Sequence, residues 1–520
     1  MKDKSHHLLL ESLVTVSIDH PEPLYQQLIH QLRLFIVAGR LHPSSKLPSS
    51  RQLAIDIKVS RTTCTNAYQQ LLAEGLLVSR QGSGIYVNTT LPVSAHQGIR
   101  KTNPKGSLAP VKLATSKPAT PTNSGFSSEP DAQNFPFPLW ARCLAKAWRK
   151  PEPSLLHDAH PGGYAVLRHT LSHYLYITRG LRCDARQIVI TAGQRDSLSL
   201  ISKALMSHGE SVYMENPGYP LQRQVIKSLG LNEAFLEVDS QGAQLPKAHQ
   251  QANNLAILCP SRQYPLGTSM SGPRKIAWLN YAQTNNCWLL EDDYDSEYTY
   301  ERRKTDALMS LDQTQKVILL GSFSKLMFQG FRLGYLVLPE PLVDDFLQIQ
   351  QELGGMASLH IQPALSLFLT DRSFNPHLGR MRRLYRQRRD ELCRLINLHL
   401  SQWLFVTAPD SGMHLVAYCH QPMDDQSIAM KLKSRGVTAF ALSKCYATPY
   451  KTPYKTPYKT THTTTYATTY VNTAPCGFLL GFSGCDDEQL GENVEIFRQV
   501  LLESNDSIQH QLTNNEGNTK

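Results

Sequence analysis

The stretch Val317-Ile318-Leu319-Leu320-Gly321-Ser322-Phe323-Ser324-Lys325 (317–325) decides the fold of most of this chain. Its first four residues are apolar and favour β-structure, so they predict a short buried strand. Residues 321–325 then form the loop at the end of that strand, where α/β folds place their ligand sites. The sequence therefore predicts two hydroxyls and one lysine at a ligand-binding edge of a sheet.

The polar residues that follow this strand suit a phosphorylated aldehyde. A lysine that holds an aldehyde must attack as a neutral amine, so burial or neighbouring cations must lower its pKa. Ser322 and Ser324 supply hydroxyl donors, and Arg332 supplies a planar guanidinium that matches a phosphate group. The residue types around Lys325 are therefore those that such a cofactor needs.

A second predicted strand, residues 287–290, lies upstream and leads into Glu291, Asp292 and Asp293. A carboxylate there could pair with a protonated ring nitrogen, which keeps a pyridinium cationic as pyridoxal phosphate chemistry requires. Taken alone, a Ser-x-Ser-Lys loop is common, and acids after a strand more often form a solvated turn or a helix start. The cofactor interpretation depends on both features occurring together.

Residues 129–504 resemble the fold type I aminotransferases, which depend on pyridoxal phosphate, and more specifically the aminotransferase-like domain of MocR-type GntR regulators. The resemblance is carried by the strings TAGQ (191–194), NPGYP (216–220), EDDYDSE (291–297), GSFSK (321–325), FRLGYLVLP (331–339) and GRMRRLYRQRRDEL (379–392). It implies an α/β domain with a mostly parallel central sheet. Such domains usually dimerise with the cofactor near the subunit interface, so a homodimer is implied too.

The resemblance also implies which residues bind pyridoxal phosphate. Lys325 matches the catalytic lysine that holds the cofactor aldehyde, and Asp292 matches the carboxylate that faces the pyridine nitrogen. Tyr294 matches the tyrosine near the phenolic oxygen. Tyr219 matches the aromatic residue against the ring, although an ordinary core or turn aromatic is the alternative. The residues that match the phosphate-binding group are Ser322, Ser324, Arg332, Gly193 and Gln194.

Three positions depart from the pattern of the enzymes. Residues 264–267 read Tyr-Pro-Leu-Gly where aminotransferases usually carry Asn-Pro-x-Gly, and MocR-type regulators tend to have an aromatic there. The predicted strand at residues 477–482 lacks the arginine with which aminotransferases bind the substrate carboxylate. Without that bidentate, charge-assisted contact, efficient transamination of ordinary amino acids is not expected. Arg262 stands where the family often has histidine.

The N-terminal residues predict a separate DNA-binding unit. Apolar residues recur at helical spacing in three segments. The first predicted helix ends at Gly39, the second begins at Ser49, and the third begins at Ser60. Two short strands at 76–80 and 85–87 follow, joined by a glycine-rich turn. Three helices and a hairpin make a winged helix-turn-helix. The string LPSSRQLAIDIKVSRTTCTNAYQQLLAEGLL (47–77) resembles the GntR DNA-binding domain.

The predicted DNA contacts lie at the starts of the second and third helices. The third helix places its first residues on base edges in this geometry, whereas the second crosses the phosphate backbone. Residues 20–88 hold seven Lys and Arg against three acids, a net of four positive charges, which suits phosphate contact. For the two serines the alternative is helix capping, and for the two arginines it is solvated charge. The predicted residues are Ser49, Arg51, Ser60, Arg61, Thr62 and Thr63.

Composition predicts the domain boundaries. The winged helix is placed at 21–88, a flexible linker rich in Pro, Ser, Thr, Ala and Gly at 89–128, and the aminotransferase-like domain at 129–505. An insertion at 447–470 contains three Thr-Pro-Tyr-Lys repeats, and proline every fourth residue predicts irregular chain. A repeat expansion in a surface loop and an effector lid are the alternatives. The arginine-rich stretch 380–389 predicts an amphipathic helix with a solvated basic face, with DNA contact as the alternative.

The overall composition bounds the function. A chain of 520 residues with 41% hydrophobic content is multidomain, and a net charge of +10 suits an anionic partner. Ten scattered cysteines without Cys-x-x-Cys or a histidine cluster predict neither a disulfide framework nor a metal site. We expect reduced thiols in a cytoplasm, because no hydrophobic leader and no membrane-spanning run is present.

These observations predict a sequence-specific transcriptional regulator that depends on pyridoxal phosphate. Its aminotransferase-like domain would sense the cofactor or an amino-acid-like effector, and its dimer would read an operator with two half-sites. One alternative is an active aminotransferase with a vestigial DNA-binding domain, which the missing carboxylate arginine disfavours. Another is a DNA-binding protein that has lost its cofactor, which Asp292, Lys325 and Arg332 disfavour.

Overall fold

The structure, a computed structural model, divides into two compact units, within residues 1–116 and 117–520. The residues it describes are 16, 22–80, 82–89, 125–157, 160–247, 254–300, 306–354, 357–447, 455–460, 463–468 and 475–517. No helix in these described ranges has both the length and the apolar character that crossing a bilayer requires.

The smaller unit consists of three helices followed by an antiparallel hairpin. Its elements are α1 (Leu24–Val37), α2 (Ser50–Asp56), α3 (Arg61–Ala73), β1 (Leu77–Arg80) and β2 (Gly84–Val87). Leu28 and Leu32 of α1, Leu53 of α2 and Leu71 of α3 are buried in one core. This arrangement confirms the winged helix-turn-helix prediction.

The larger unit is built on an eight-stranded sheet in the order β3-β10-β9-β8-β7-β4-β5-β6. The strands from β9 through β5 in this order run parallel, whereas β10 is antiparallel to both of its neighbours and β6 to β5. The mostly parallel central sheet is confirmed. Its strands are β3 (Ile188–Thr191), β4 (Ser211–Asn216), β5 (Asn232–Asp239), β6 (Gly242–Ala243), β7 (Leu255–Leu258), β8 (Trp288–Asp293), β9 (Val317–Ser322) and β10 (Gly334–Val337).

Helices surround this sheet, and a smaller antiparallel sheet follows it in the chain. The smaller sheet has the order β11-β12-β16-β13, formed by Leu404–Val406, His414–Cys419, Gly477–Gly481 and Phe440–Ala441. The helices are α4 (Phe137–Arg149), α5 (Ala165–Arg179), α6 (Gln194–Leu205), α7 (Pro220–Ser228), α8 (Gly272–Asn285), α9 (Leu308–Leu311), α10 (Val343–Glu352), α11 (Gln362–Thr370), α12 (Phe374–His399), α13 (Asp425–Ser434) and α14 (Asp487–Gly517).

Strand β8 is longer than the sequence predicted, because its acids lie within the strand and are buried. The apolar pattern stops at Leu290, so the pattern alone ends the strand too early. Burial of these carboxylates is supported by specific partners. Arg179 Nε pairs with Asp293 Oδ2 at 2.9 Å, and the Leu308 and Met309 N–H groups each donate to Glu291 at 2.9 Å.

Residues 125–128 belong to the larger unit and not to the predicted linker. Phe126 is buried and packs against Phe497, with ring centroids 6.1 Å apart. The Phe126 N–H donates to Thr438 O at 2.9 Å, and the Gly481 N–H donates to Phe126 O. The sequence assigned this stretch to the linker because of its polar composition, although its one aromatic residue, Phe126, belongs to the core. Residues 90–124 of the predicted linker lie outside the described residues.

The repeat-rich insertion contains regular structure, which the prediction of irregular chain missed. β14 (Lys455–Thr460) pairs antiparallel with β15 (Thr463–Thr468), and Pro457 stands opposite Tyr466. A two-stranded ribbon leaves one edge of each strand unpaired, so proline is tolerated there although it is excluded from central strands. Residues 448–454, 461–462 and 469–474 lie outside the described residues.

The arginine-rich stretch is helical, as predicted, but its basic face is only partly solvated. Arg388 and Arg389 of α12 are buried. Arg388 pairs with Asp131 at 2.8 Å, and Arg389 donates to Pro409 O at 2.7 Å. The remaining exposed arginines of the stretch are Arg380, Arg383 and Arg386. The prediction of a purely solvated basic face was therefore wrong, because two of its guanidiniums bind carboxyl and carbonyl groups within the protein.

Candidate cofactor site and DNA-binding surface

The predicted cofactor residues converge at one edge of the large sheet. Register pairs Asp293 of β8 with Gly321 of β9, and Gly334 of β10 with both Ser322 and Thr191. The loops that follow β3, β8 and β9 and the loop that precedes β10 therefore meet at the same edge. This is the edge at which parallel α/β sheets bind ligands.

Asp292 presents a carboxyl oxygen that lacks a partner. Its Oδ2 accepts hydrogen bonds from Gln194 Nε2 at 2.8 Å and from Gln222 Nε2 at 3.2 Å. Its Oδ1 is buried and has no hydrogen-bond partner among the described residues. Burial, aided by the charge of Asp293, raises the pKa of Asp292 to about 7. A buried acceptor without a donor is costly, so this oxygen suits a ligand N–H.

Lys325 lies at the same edge of the sheet as Asp292, and the pKa of its amine is lowered. Burial lowers the pKa of Lys325, while the negative charge of Asp295 opposes the shift. Its Nζ donates to Ser128 O at 2.7 Å. The direction of the shift favours the neutral amine that attack on an aldehyde requires. Ser128 comes from the stretch that the sequence assigned to the linker.

Three tyrosine rings line the site. Tyr219, which precedes α7, meets Tyr264 edge to face at 5.1 Å between ring centroids. Tyr264 meets Tyr294 in the same way at 6.1 Å. The sequence identified Tyr219 and Tyr294 as binding residues and Tyr264 only as a departure from the enzymes. The structure places all three in one contiguous aromatic group.

Arg262, to which the sequence assigned no role, holds this aromatic group in place. Its Nη1 lies 3.1 Å from Asp295 Oδ2 and donates to Tyr294 Oη at 3.1 Å, while its Nη2 donates to His414 O at 2.8 Å. The guanidinium fits closely over Gly412, where an added Cβ would lie 2.1 Å from the Arg262 Cζ. Because Asp295 already pairs with it, Arg262 is not free to bind a substrate carboxylate.

The loops after β3 and β9 and before β10 supply donors that suit a phosphate. Gly193, with φ 98°, turns the chain from β3 into α6, which begins at Gln194. The helix N-terminus therefore offers unpaired backbone N–H groups. The Ser324 N–H donates to Ser322 Oγ at 3.2 Å. Arg332 is exposed, in a left-handed conformation with φ 52°, and has no acceptor among the described residues.

Two further buried residues join the turns around the site, and the sequence did not single them out. Glu215 of β4 accepts hydrogen bonds from Cys259 N at 3.1 Å and Gln263 Nε2 at 3.2 Å. Gln263 Nε2 also donates to Pro217 O at 2.7 Å. The Tyr219 turn and the Tyr264 turn are thereby tied together. Burial raises the pKa of Glu215 to about 7. The sequence signal for Glu215 was a single acid within an apolar strand.

In the smaller unit, the two predicted serines cap helices. Ser49 Oγ accepts from the Gln52 N–H at 3.2 Å, and Ser60 Oγ accepts from the Thr63 N–H at 3.1 Å. The capping alternative is therefore observed at both positions. The Thr63 hydroxyl also bonds to Ser60 Oγ at 2.8 Å. The remaining predicted contacts, Arg51, Arg61 and Thr62, are exposed in the first turns of α2 and α3.

The wing has basic residues on it or beside it that the sequence analysis did not name as DNA contacts. Arg80 Cζ lies 4.6 Å from the centroid of the Tyr86 ring, and the Tyr86 hydroxyl bonds to Ser83 Oγ at 2.6 Å. Lys46 forms a bridge with Tyr86 and reaches the wing glycine Gly84. A glycine-rich turn beside basic residues was the available signal.

For metals, the described ranges contain no group of three or more His, Cys, Asp or Glu side chains that could hold an ion.

Comparison with known proteins assigns both units. Residues 24–87 match the gntR family of bacterial regulatory proteins, and residues 132–454 match the aminotransferase class I and II family. The probable rhizopine catabolism regulatory protein MocR of Rhizobium meliloti is 30% identical over 94% of this chain and 96% of its own length. This chain belongs to the MocR-type GntR regulators.

Other relatives and structures agree with this assignment. The pyridoxine biosynthesis regulator PdxR of Corynebacterium glutamicum is 31% identical over 84% of this chain and 92% of its own length. Kynurenine aminotransferase of Pyrococcus horikoshii is 20% identical, with a TM-score of 0.64 over 74% of this chain and 92% of its own. That likeness shows the fold alone. The named relatives are transcriptional regulators, so a MocR-type regulator is favoured over an enzyme with a vestigial DNA-binding domain.

Proposed function

We propose that this MocR-type regulator binds pyridoxal phosphate at Lys325 and operator DNA through residues 21–88 as a homodimer. The observation that carries the cofactor proposal is the unpartnered Asp292 Oδ1, buried at the same sheet edge as Lys325. A protonated ring nitrogen supplies the donor that this oxygen lacks. When bound, pyridoxal phosphate supplies an aldehyde that reacts reversibly with primary amines.

The other site residues fit the remaining groups of the cofactor. Tyr294, held by Arg262, would donate to the phenolic oxygen, and Tyr219 would lie against the ring. The N-terminal amides of α6 would bind the phosphate together with nearby side chains. Those proposed phosphate ligands are Gly193, Gln194, Ser322, Ser324 and Arg332. Burial lowers the pKa of Lys325, which favours the neutral amine that reacts with an aldehyde.

We further propose that the site senses an amino compound and turns it over slowly at best. Strand β16 (Gly477–Gly481) is buried throughout and carries no arginine, and Arg262 is paired with Asp295. No guanidinium in these positions is free to hold a substrate carboxylate. Losing that contact costs a few kcal/mol of orientation, or about two to three decades in rate. The expected outcome is effector binding without efficient transamination.

The cofactor proposal is tested on full-length protein incubated with pyridoxal phosphate. Visible absorbance should appear, and borohydride reduction should fix the cofactor on the peptide that contains Lys325. Lys325→Ala should lose that covalent adduct. An adduct that persists unchanged in Lys325→Ala would contradict the assignment. Lys444→Ala, which removes another lysine of the same unit, serves as the matched control.

The regulator proposal is tested separately by titration of DNA from upstream of the protein's own gene. The full-length protein should prefer this DNA over random DNA of equal length, and an amino effector should change the affinity. Multiple turnover of common amino acids at rates typical of aminotransferases would favour the enzyme instead. Binding that is independent of sequence under all conditions would overturn the regulator proposal.

A further inference from the structure

Cys419 and Cys476 lie opposite each other at the paired ends of the neighbouring strands β12 and β16. The proposed function uses neither. Cys419 is the last residue of β12, and Cys476 directly precedes β16. Register pairs Tyr418 with Gly477, which places the two cysteines opposite each other, and the Cys419 N–H donates to Cys476 O at 3.2 Å. Such hydrogen-bonded partners have Cα atoms about 5.5 Å apart, a separation that a disulfide spans.

The two thiols, opposite each other in the register, differ in exposure. The neighbouring Cys419 thiol lowers the pKa of Cys476, whose Sγ donates to Gln421 O at 3.4 Å. The proximity of Cys476, together with burial, raises the pKa of Cys419. Cys419 is buried, whereas Cys476 is partly exposed. Cys476 is therefore the accessible nucleophile, and Cys419 is the sheltered thiol within its reach.

We propose that Cys476 is a modification site for low-molecular-weight disulfides and that Cys419 converts the product into an intramolecular disulfide. The Cys476 thiolate attacks one sulfur of oxidised glutathione, which forms a mixed disulfide and releases one glutathione thiolate. Cys419 then loses its proton and attacks the Cys476 sulfur, which releases the second glutathione. Two cysteine thiols lose two electrons and two protons, and the glutathione disulfide is reduced to two thiols.

The new bond would fasten the exit of the repeat-rich insertion to the sheet. Cys476 is among the first described residues after that insertion. At its entry, the Ala447 N–H donates to Asn216 Oδ1 at 2.8 Å, and the Gly218 N–H donates to Cys445 O at 2.9 Å. Those contacts join the entry to the turn that carries Tyr219. The proposed disulfide therefore lies at one end of the insertion, and the other end bonds to the turn that carries Tyr219.

The experiment uses full-length protein that has been reduced, freed of reductant and incubated with oxidised glutathione. Peptide mapping by mass spectrometry without reduction should show Cys419 joined to Cys476, and the free-thiol count should fall by two. Cys419→Ser should accumulate glutathione on Cys476, since the second thiol is missing. Cys476→Ser should form no link and should leave residue 419 unmodified.

Cys183→Ser is the matched control, because Cys183 is also partly exposed but burial raises the pKa of its thiol to about 11. In this control the link should form at the wild-type rate. Wild-type protein that carries glutathione on Cys476 without forming the link would overturn the proposal. So would a link that joins other cysteines, or protein in which both thiols stay reduced. The wild-type peptide map needs no variant, so its result does not depend on whether the variants fold.

Discussion

Individual buried carboxyls in the larger unit are expected to affect its stability as the pH changes. Burial raises the pKa of Glu215 to about 7, whereas an unfolded glutamate titrates near about 4.3. The folded protein therefore binds more protons between these values, and the free energy of unfolding falls as the pH rises from about 4 to about 7. The stabilising contribution is fully present below the unfolded pKa.

In cofactor-free protein, Glu215→Gln should reduce the fall in the free energy of unfolding between pH 5 and pH 8 by up to about 3 kcal/mol. The reason is that the substitution removes the titrating group. Urea unfolding at pH 5 and pH 8 measures the difference. Glu340→Gln changes an exposed carboxyl and should leave the pH dependence as it is in the wild type. An unchanged dependence in Glu215→Gln would show that this carboxyl does not titrate in the range.

Arg51 and Arg61, both exposed in the winged helix, are expected to have different effects on DNA binding. Arg61 begins α3 and would reach base edges, so Arg61→Ala should cost about 1–3 kcal/mol and relax base preference. Arg51 lies in α2 and would contact phosphate, so Arg51→Ala should weaken all sequences alike and reduce the salt slope by about one unit. Titrations at several salt concentrations distinguish the two, and equal effects of both variants would contradict these roles.

At the scale of elements, sequence pattern located strands and helices well but missed where polar groups are buried. The β9 strand and the loop through Lys325 follow from four apolar residues and a glycine. The end of β8 does not, because the partners that allow Glu291 and Asp293 to be buried include Arg179, which is distant in sequence. Arg388 was likewise assigned to solvent, because its partner Asp131 lies more than 250 residues away. Such long-range ion pairs leave no local periodicity.

The cap of the recognition helix gives an element-scale prediction. Ser60 Oγ accepts from the Thr63 N–H, which has no partner within the first turn of α3. Ser60→Ala should destabilise the smaller unit by about 1 kcal/mol, whereas Ser60→Thr should retain the cap and most of the stability. Thermal unfolding of that unit measures the loss. Equal stabilities of the two variants would mean that the hydroxyl acts elsewhere, for example on DNA.

For the whole molecule, the lysine proposed to hold the cofactor is hydrogen-bonded to the start of the larger unit. Lys325 Nζ donates to Ser128 O, the Gly484 N–H donates to Ser127 O at 3.1 Å, and Ser483 Oγ donates to Glu129 O at 2.7 Å. A lysine that has reacted with an aldehyde can no longer donate in the same way to Ser128. In the proposed function, reaction of Lys325 with the cofactor would therefore change hydrogen bonding near the start of the larger unit.

The proposed dimer gives the final prediction, on the number of half-sites read. Two linked winged helices bind the second half-site at an effective concentration set by the chain between them, which adds about 10²–10⁴ to the affinity. Scrambling one half-site in DNA of constant length should therefore weaken binding of the full-length protein by at least about 10²-fold. Scrambling both should leave only salt-sensitive binding, driven by the basic residues of the winged helix. If scrambling one half-site changes nothing, each copy binds alone, and the two-half-site operator is excluded.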